Sequence, residues 1–339
     1  MSSIRPWYRR PGRVVPIAVA VVGVAAVAVS VLTPWPAALL IRAVFEQDGA
    51  KTVTEMQGHV PDVPLDPTLD VDTGIAGAAI DVFSPAGTEG ALPTVVWIHG
   101  GAWISGNKQT VRPYVQILAA QGYTAVAVDY SVSPEVQYPV ALEQLNATLG
   151  YLVENADELR IDPARIVLAG DSAGANLASQ LAALTTNPAA AADLGIEPAL
   201  RPEQLRGVVL NCGIYDVDVM ASAPGIGGWG FGIALWAYLG DRDWSGTKGA
   251  TEMSTLDWVT ADFPATWISG GNGDPLTASQ SKPLAERLNG LGVPVTELFY
   301  PDDLEPQLGH EYQFHLDLAA ARAALDSTIA FLGEVTAAS

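Results

Sequence analysis

The chain has 339 residues, 49% of them apolar, and carries 17 Lys and Arg against 37 Asp and Glu, a formal net charge of −20. So large an acidic excess repels nucleic acid and anionic head groups and argues against nucleic-acid binding. A single cysteine, Cys212, admits no internal disulfide, and no Cys/His cluster has the spacing of a metal site, so neither a metal nor another cofactor is expected.

Arg5, Arg9, Arg10 and Arg13 make residues 1–13 a basic tail without acidic residues. From Val14 to Leu32 nineteen uncharged, almost wholly apolar residues follow, which as a helix reach about 28 Å, close to the hydrocarbon thickness of a bilayer. A transmembrane anchor over 14–33 is the natural reading. The arginines put its start in the cytoplasm and the rest of the chain outside a cell membrane. The alternative is a cleaved signal peptide and a secreted domain, but such apolar regions usually run about 7–15 residues. Here the small-residue stretch Ala26-Val-Ala28 lies inside the apolar run and Pro34-Trp-Pro36 follows it. Removing the four arginines from the total leaves −24 on the outward part. In the linker 34–60, Leu40, Ile41, Val44 and Phe45 fall at helical spacing, so 37–47 reads as a short amphipathic helix, lying on the membrane or packed on the domain that follows.

Residues 61–336 alternate strand and helix. Segments 63–71 and 77–83 are expected to start the sheet as an antiparallel hairpin; strand-like runs follow at 94–98, 124–128, 165–169, 207–211, 265–269 and 295–300. Helix-compatible stretches at 140–153, 175–184 and 279–288 lie between them, which predicts an α/β fold with a mainly parallel central sheet and helices on both faces. The strand at 94–98 runs into His99-Gly-Gly-Ala-Trp103, where paired glycines let backbone N–H groups turn toward an anion. The strand at 165–169 runs into Gly170-Asp-Ser-Ala-Gly174 and then a helix. A serine on so tight a turn, flanked by small residues, is a nucleophile elbow. Residues 219–240 carry no charge but include six glycines and Pro224, which favours an irregular excursion over a helix. The surrounding insert, about 213–255, reads as a cap over Ser172, with Trp103, Trp229 and Trp236 lining an apolar acyl or alcohol pocket.

For the general base, His59 precedes the domain and His99 belongs to the loop after its strand, which it fixes by hydrogen bonds. His310 follows Gly309 in a loop, whereas His315 falls where the last helix starts, so His310 is preferred. For the acid, Asp274 competes with Asp302, Asp303 and Glu305. Asp274 is preferred because it lies just beyond a strand's carboxyl end, where α/β sheets carry their functional loops. The chain order is then Ser172, Asp274, His310, the order of the α/β-hydrolases. In this reading Ser172 attacks an ester, His310 moves its proton, Asp274 orients the imidazole, and N–H groups of Gly101, Ala102 and Ala173 meet the oxyanion.

With its HGGAW element, its GDSAG elbow, Asp274-Pro-Leu after a late strand and Gly309-His310 near the end, the chain over about 61–336 resembles the hormone-sensitive-lipase-like bacterial esterases of the α/β-hydrolase superfamily. Asp129-Tyr130, Pro134-Glu135 and Pro139 are similar to a further segment of that family. Ser131 stands where the family usually has Arg, Glu311 where Gly is common, and the stretch 301–308 before the histidine is long. The resemblance implies an α/β-hydrolase acting on small-molecule carboxylic esters, and the expectation is a serine hydrolase for short or medium acyl chains. A carbohydrate deacetylase or peptidase shares the same triad, and a non-enzymatic binding protein of this fold is the second class of reading.

Overall fold

Eight strands form one sheet: β1 (Leu65–Val71), β2 (Ile80–Pro85), β3 (Leu92–Ile98), β4 (Thr124–Val128), β5 (Ile161–Asp171), β6 (Leu205–Asn211), β7 (Ala265–Gly270) and β8 (Val295–Phe299). The computed structural model describes residues 32–337, so the basic tail 1–13 and the span expected at 14–33, apart from its last two residues, lie outside the described residues. Among the described residues no helix is long and apolar enough to cross a membrane.

The strand order is β1-β2-β4-β3-β5-β6-β7-β8. β2 runs antiparallel to β1 and β4, and every pair from β4 onward is parallel. The central strands are apolar over 95–98, 125–128, 166–169 and 208–210, where both faces are covered. Register divides them. Val96, Val126, Leu168 and Val208 face one core, and Trp97, Ala127, Ala169 and Val209 face the other.

The helices are α1 (Trp35–Gln57), α2 (Lys108–Ala119), α3 (Val140–Glu154), α4 (Ala173–Thr186), α5 (Pro188–Leu194), α6 (Gly225–Leu239), α7 (Lys248–Met253), α8 (Thr255–Trp258), α9 (Lys282–Gly290) and α10 (Ala319–Val335). α2 and α10 cover one face of the sheet, α3, α4 and α9 the other. The last helix begins at Ala319, four residues past the position expected from its apolar spacing. Residues 312–314 form a 3-10 turn instead, entered through Glu311 at φ 57.

Two segments depart from expectation. Residues 225–239 form an α-helix, not an irregular excursion, although five of the fifteen are glycine and each glycine costs about 1 kcal/mol against alanine. Packing overrides propensity here, because Ala234, Leu235, Ala237 and Tyr238 are buried and Gly240 ends the helix at φ 77. The loops leading into and out of this insert are held from below: the Asn176 amide donates to the carbonyls of Ile214 and Met253, and Gln280 Oε1 accepts from the N–H of Tyr215 and Asp216.

The linker helix is the second departure. α1 spans 23 residues where 37–47 was expected, and it packs on the hydrolase core. Ala38 and Met56 are fully buried, and Ala38 and Ile41 meet Ala102, Ile104, Ala234 and Ala237. The Arg42 guanidinium grips Glu135 at 2.8 and 2.6 Å and donates to the carbonyls of Ile104 at 2.5 Å and Ser133 at 2.7 Å. At the far end Glu55 accepts from the His315 ring at 3.0 Å and from the Asp317 N–H at 3.1 Å. Hydrogen bonds to charged groups contribute about 1.5–3 kcal/mol, and a domain of this size shifts by about 2–4 °C per kcal/mol. Arg42→Ala is therefore expected to lower the midpoint of thermal unfolding, followed by circular dichroism, by about 3–10 °C.

Candidate active site

The site forms where the sheet's strand order reverses. β3 and β5 are neighbours there, yet the chain leaves them toward different flanks, and a crevice opens at their carboxyl ends. Ser172 sits at the end of β5 at φ 49, ψ −118, a strained conformation for a residue with a side chain. The flanking glycines are required by space. A Cβ on Gly170 would strike the backbone of Gly174, and one on Gly174 would strike the carbonyls of Ile98 and His99.

His310 and Asp274 reach Ser172 from two other loops. The Ser172 hydroxyl lies 3.0 Å from His310 Nε2, and His310 Nδ1 lies 2.8 Å from Asp274 Oδ2. With Nδ1 protonated, the ring donates to the carboxylate and Nε2 accepts from the serine. Asp274 is almost fully buried, and its Oδ1 accepts from the Leu276 N–H. Asn272 organises the long connection before the histidine: its amide donates to the Leu304 carbonyl and its oxygen accepts from the Leu308 N–H. Sequence reasoning missed this residue, although its place in the loop that carries Asp274 is a usable signal.

On the opposite side the backbone turns through three successive positive φ angles, at Gly101 (112), Ala102 (51) and Trp103 (59). Among the described residues no backbone carbonyl takes up the N–H of Gly101, Ala102 or Ala173, so these donors are available to a ligand. Asp171, which sequence reasoning passed over within the elbow motif, holds this loop in place. Its Oδ2 accepts from the Gly100 N–H at 2.7 Å and its Oδ1 from the Trp97 indole at 2.8 Å. His99 is fully buried, stacked on Tyr130 with centroids 4.3 Å apart, and donates from Nδ1 to the Gly100 carbonyl at 2.7 Å. Burial pushes its pKa down to about 4, so it is neutral and structural, as expected.

His310 titrates in the other direction. Burial opposes its charged form, but the hydrogen bond to Asp274 and the Glu311 carboxylate beside it outweigh that and raise its pKa above the ordinary value. Cys212 is pushed up to about 11 by burial and is a neutral thiol near pH 7, so the carboxylates are the effective cause there. Burial, and next the Glu311 charge, raise the Asp171 carboxyl well above the usual range against the hydrogen bonds from Trp97 and Gly100. Cys212, Asp274 and His310 place one candidate metal-ligand atom each within 4.8 Å of one another. In this arrangement the His310 nitrogens are already engaged by Asp274 and Ser172.

Ser172 opens into a cavity of about 850 Å³, within the range of small-molecule sites. Its walls differ from expectation. Trp103 is fully buried and stacks on Tyr238 with centroids 5.3 Å apart, so it belongs to the core. Trp229 is half exposed on the outer surface, Trp236 packs on the core beneath Arg242, and neither lines the cavity. The aromatic walls come from Phe231 of α6, Phe314, and Phe45 of α1, with Val53 of the same helix beside them. Rotation along α6 explains the difference: Phe231 is turned to the site, and the tryptophans on either side of it point elsewhere. The linker helix thus completes a site that the sequence assigned to Trp103 and the insert.

The family model described as BD-FAE matches residues 80–288. A carboxylesterase of Mycobacterium tuberculosis, NlhH, is 30% identical over 274 residues, 76% of this chain and 79% of that protein. An acetyl esterase of Salmonella choleraesuis is 29% identical, covering 80% of this chain and 82% of that one. Among solved structures, esterase B of Lactobacillus rhamnosis superposes with a TM-score of 0.75 at 21% identity, over 89% of this chain and 96% of the other. An esterase of Pyrobaculum calidifontis superposes with a TM-score of 0.69 at 22% identity, over 88% and 94%. With its sheet order, its elbow at Ser172 and these relatives, the chain belongs to the hormone-sensitive-lipase-like esterases of the α/β-hydrolase superfamily.

Proposed function

We propose that this serine ester hydrolase acts on carboxylic esters of short or medium acyl chain through Ser172, His310 and Asp274, from a position tethered to a membrane. The observation that carries the reading is the unbroken relay from Asp274 Oδ2 through the His310 ring to the Ser172 hydroxyl, ending in a cavity. Ser172 Oγ attacks the ester carbonyl while His310 Nε2 takes its proton, and Asp274 holds the imidazolium through Nδ1–H. The oxyanion accepts from the N–H groups of Gly101, Ala102 and Ala173. The leaving alcohol then takes the proton from His310, and a water molecule repeats the sequence to free the acid. The aromatic walls of Phe45, Phe231 and Phe314 support an apolar acyl group, and the acetyl esterase among the relatives supports a short one. The tether rests on the nineteen uncharged residues 14–32 behind four arginines, which support a single span with the catalytic domain on the far side of the membrane.

Ser172→Ala is expected to abolish labelling by a fluorophosphonate and to lower kcat by about 10⁶, and His310→Ala by a comparable factor, because the relay acts as a unit. His315→Ala loses the contact with Glu55 and a part of the cavity wall away from the relay, and is expected to retain most activity on nitrophenyl acetate. Labelling that survives Ser172→Ala would refute the assignment.

The base works only when His310 is neutral, so activity is lost as pH falls through its pKa. Since that pKa stands above the ordinary value of about 6.5, the acid limb of the kcat/KM profile should lie above that pH. Glu311→Gln removes a carboxylate 3.8 Å from Nε2 and is expected to move the limb downward.

Asp171→Ala leaves the Gly100 N–H and the Trp97 indole unpaired and lets the oxyanion loop shift. The expected result is a kcat lowered by about 10²–10³, the effect of losing one oxyanion donor, with KM changed far less. Asp171→Asn, which keeps an acceptor, should recover part of the loss.

A further inference from the structure

The first three turns of α1 are apolar on every side. Over residues 35–45 the only charged side chain is Arg42, and it is turned inward to Glu135 and the carbonyls of Ile104 and Ser133. Trp35, Leu39, Leu40 and Val44 remain exposed, Leu40 by 63%. From Glu46 onward the same helix turns polar, with Asp48, Lys51 and Glu55. α6 shows the same arrangement at its start, where Ile226 is 86% exposed and Trp229 half exposed in a stretch without charge. The two helices pack together through Ala38 and Ile41 against Ile233, Ala234 and Ala237, and each sends a phenylalanine, Phe45 and Phe231, into the cavity wall. An exposed apolar area at the rim of a site marks a surface that something covers.

We infer that the exposed side chains Trp35, Leu39, Leu40, Val44, Ile226 and Trp229 form a face that docks on the surface of a lipid bilayer and sets the mouth of the cavity against it. The chain itself names this occupant. The apolar run that begins at Val14 ends at Leu32, three residues before α1 starts, so a tether in the membrane holds this end of α1 at the membrane surface. The composition fits the interface. Two tryptophans stand among aliphatic side chains, as in the aromatic belts of membrane proteins, and the apolar half of α1 is the half next to the tether. With −24 on the part of the chain beyond the four arginines, attachment by charge to anionic lipid is opposed, which leaves apolar insertion. The substrates would accordingly be esters that partition into the membrane and reach Ser172 from the lipid side.

The inference rests on the tethered-esterase reading above, and the experiment separates the two. The full-length chain is reconstituted in phosphatidylcholine vesicles with an environment-sensitive fluorophore on Leu40→Cys or Ile226→Cys. Glu89→Cys, in the loop before the amino end of β3 and so at the opposite end of the sheet, is the control. Cys212 is buried and leaves the introduced thiol as the reactive one. Flotation of the Leu40→Glu, Ile226→Glu chain, which has lost the apolar face, reads the tether, and hydrolysis of soluble nitrophenyl acetate reads the esterase. Quenching of the fluorophore by lipids with nitroxide-labelled tails reads the docking. Quenching at 40 and 226 but not at 89 is the expected result. Leu40→Glu with Ile226→Glu should then slow hydrolysis of a vesicle-borne ester by about tenfold or more while leaving nitrophenyl acetate hydrolysis unchanged, the scale of losing one or two partly buried apolar side chains. Flotation without quenching would overturn the docking and keep the tether. A blue-shifted fluorophore that the lipid probes do not quench would also overturn it, placing a second copy of the chain or its own apolar segment on the face. Quenching at 40 and 226, with a Leu40→Glu, Ile226→Glu chain that no longer floats, would keep the docking and refute the tether.

Discussion

Everything in this site depends on how closely two strands approach at the point where the strand order reverses. Gly174 lies against the carbonyls of Ile98 and His99, so the end of β5 and the end of β3 meet with no side chain between them. That contact allows the Asp171 carboxylate to reach back and hold the Gly100 N–H, and it sets the oxyanion loop beside Ser172. Strain at Ser172, at φ 49, is sustained because the surrounding structure determines it from three sides: β5 behind it, α4 ahead of it, and the β3 loop across from it. Catalytic donors fixed in this way need little reorganisation when charge develops, which is the main source of oxyanion stabilisation.

The second determinant is the helix in front of the domain. α1 contributes to the hydrolase in two ways, through Arg42 on the backbone of the loop that follows the oxyanion turn and through Phe45 and Val53 in the cavity wall. The Arg42 side chain is largely covered, and it has a bidentate carboxylate and two carbonyls, so its charge is compensated rather than stranded. The segment in front of the hydrolase domain therefore also shapes the cavity beside Ser172.

Several carboxylates surround the His310 ring. Asp274, Asp171 and Glu311 all act on the His310 ring, but in different roles. Asp274 orients the ring by hydrogen bond, Asp171 is occupied by Trp97 and Gly100, and Glu311 is held beside the ring by a left-handed backbone turn. The negative field favours the imidazolium that forms when Ser172 attacks. It also opposes the oxyanion, which makes the fixed backbone donors of Gly101, Ala102 and Ala173 more important here.

Local patterns in the sequence were enough for the sheet, the elbow and the order of the triad. Short apolar runs such as 95–98 and 166–169, each leading into a glycine-containing turn, read as strands covered on both faces, and glycines two residues either side of Ser172 are required by hard contacts that no other residue survives. Gly309 and the carboxyl end of β7 likewise separated His310 and Asp274 from their competitors. What lay beyond the sequence was every choice made by packing between distant segments. Five glycines argued against a helix at 225–239, yet burial of Ala234, Leu235 and Tyr238 outweighs their cost. Trp103, Trp229 and Trp236 are as apolar as Phe231, and only the rotation of α6 and the stacking of Trp103 on Tyr238 decide which aromatic faces the substrate. The part played by α1 was equally hidden, because Arg42 and Glu135 are 93 positions apart and nothing local in either residue names the other.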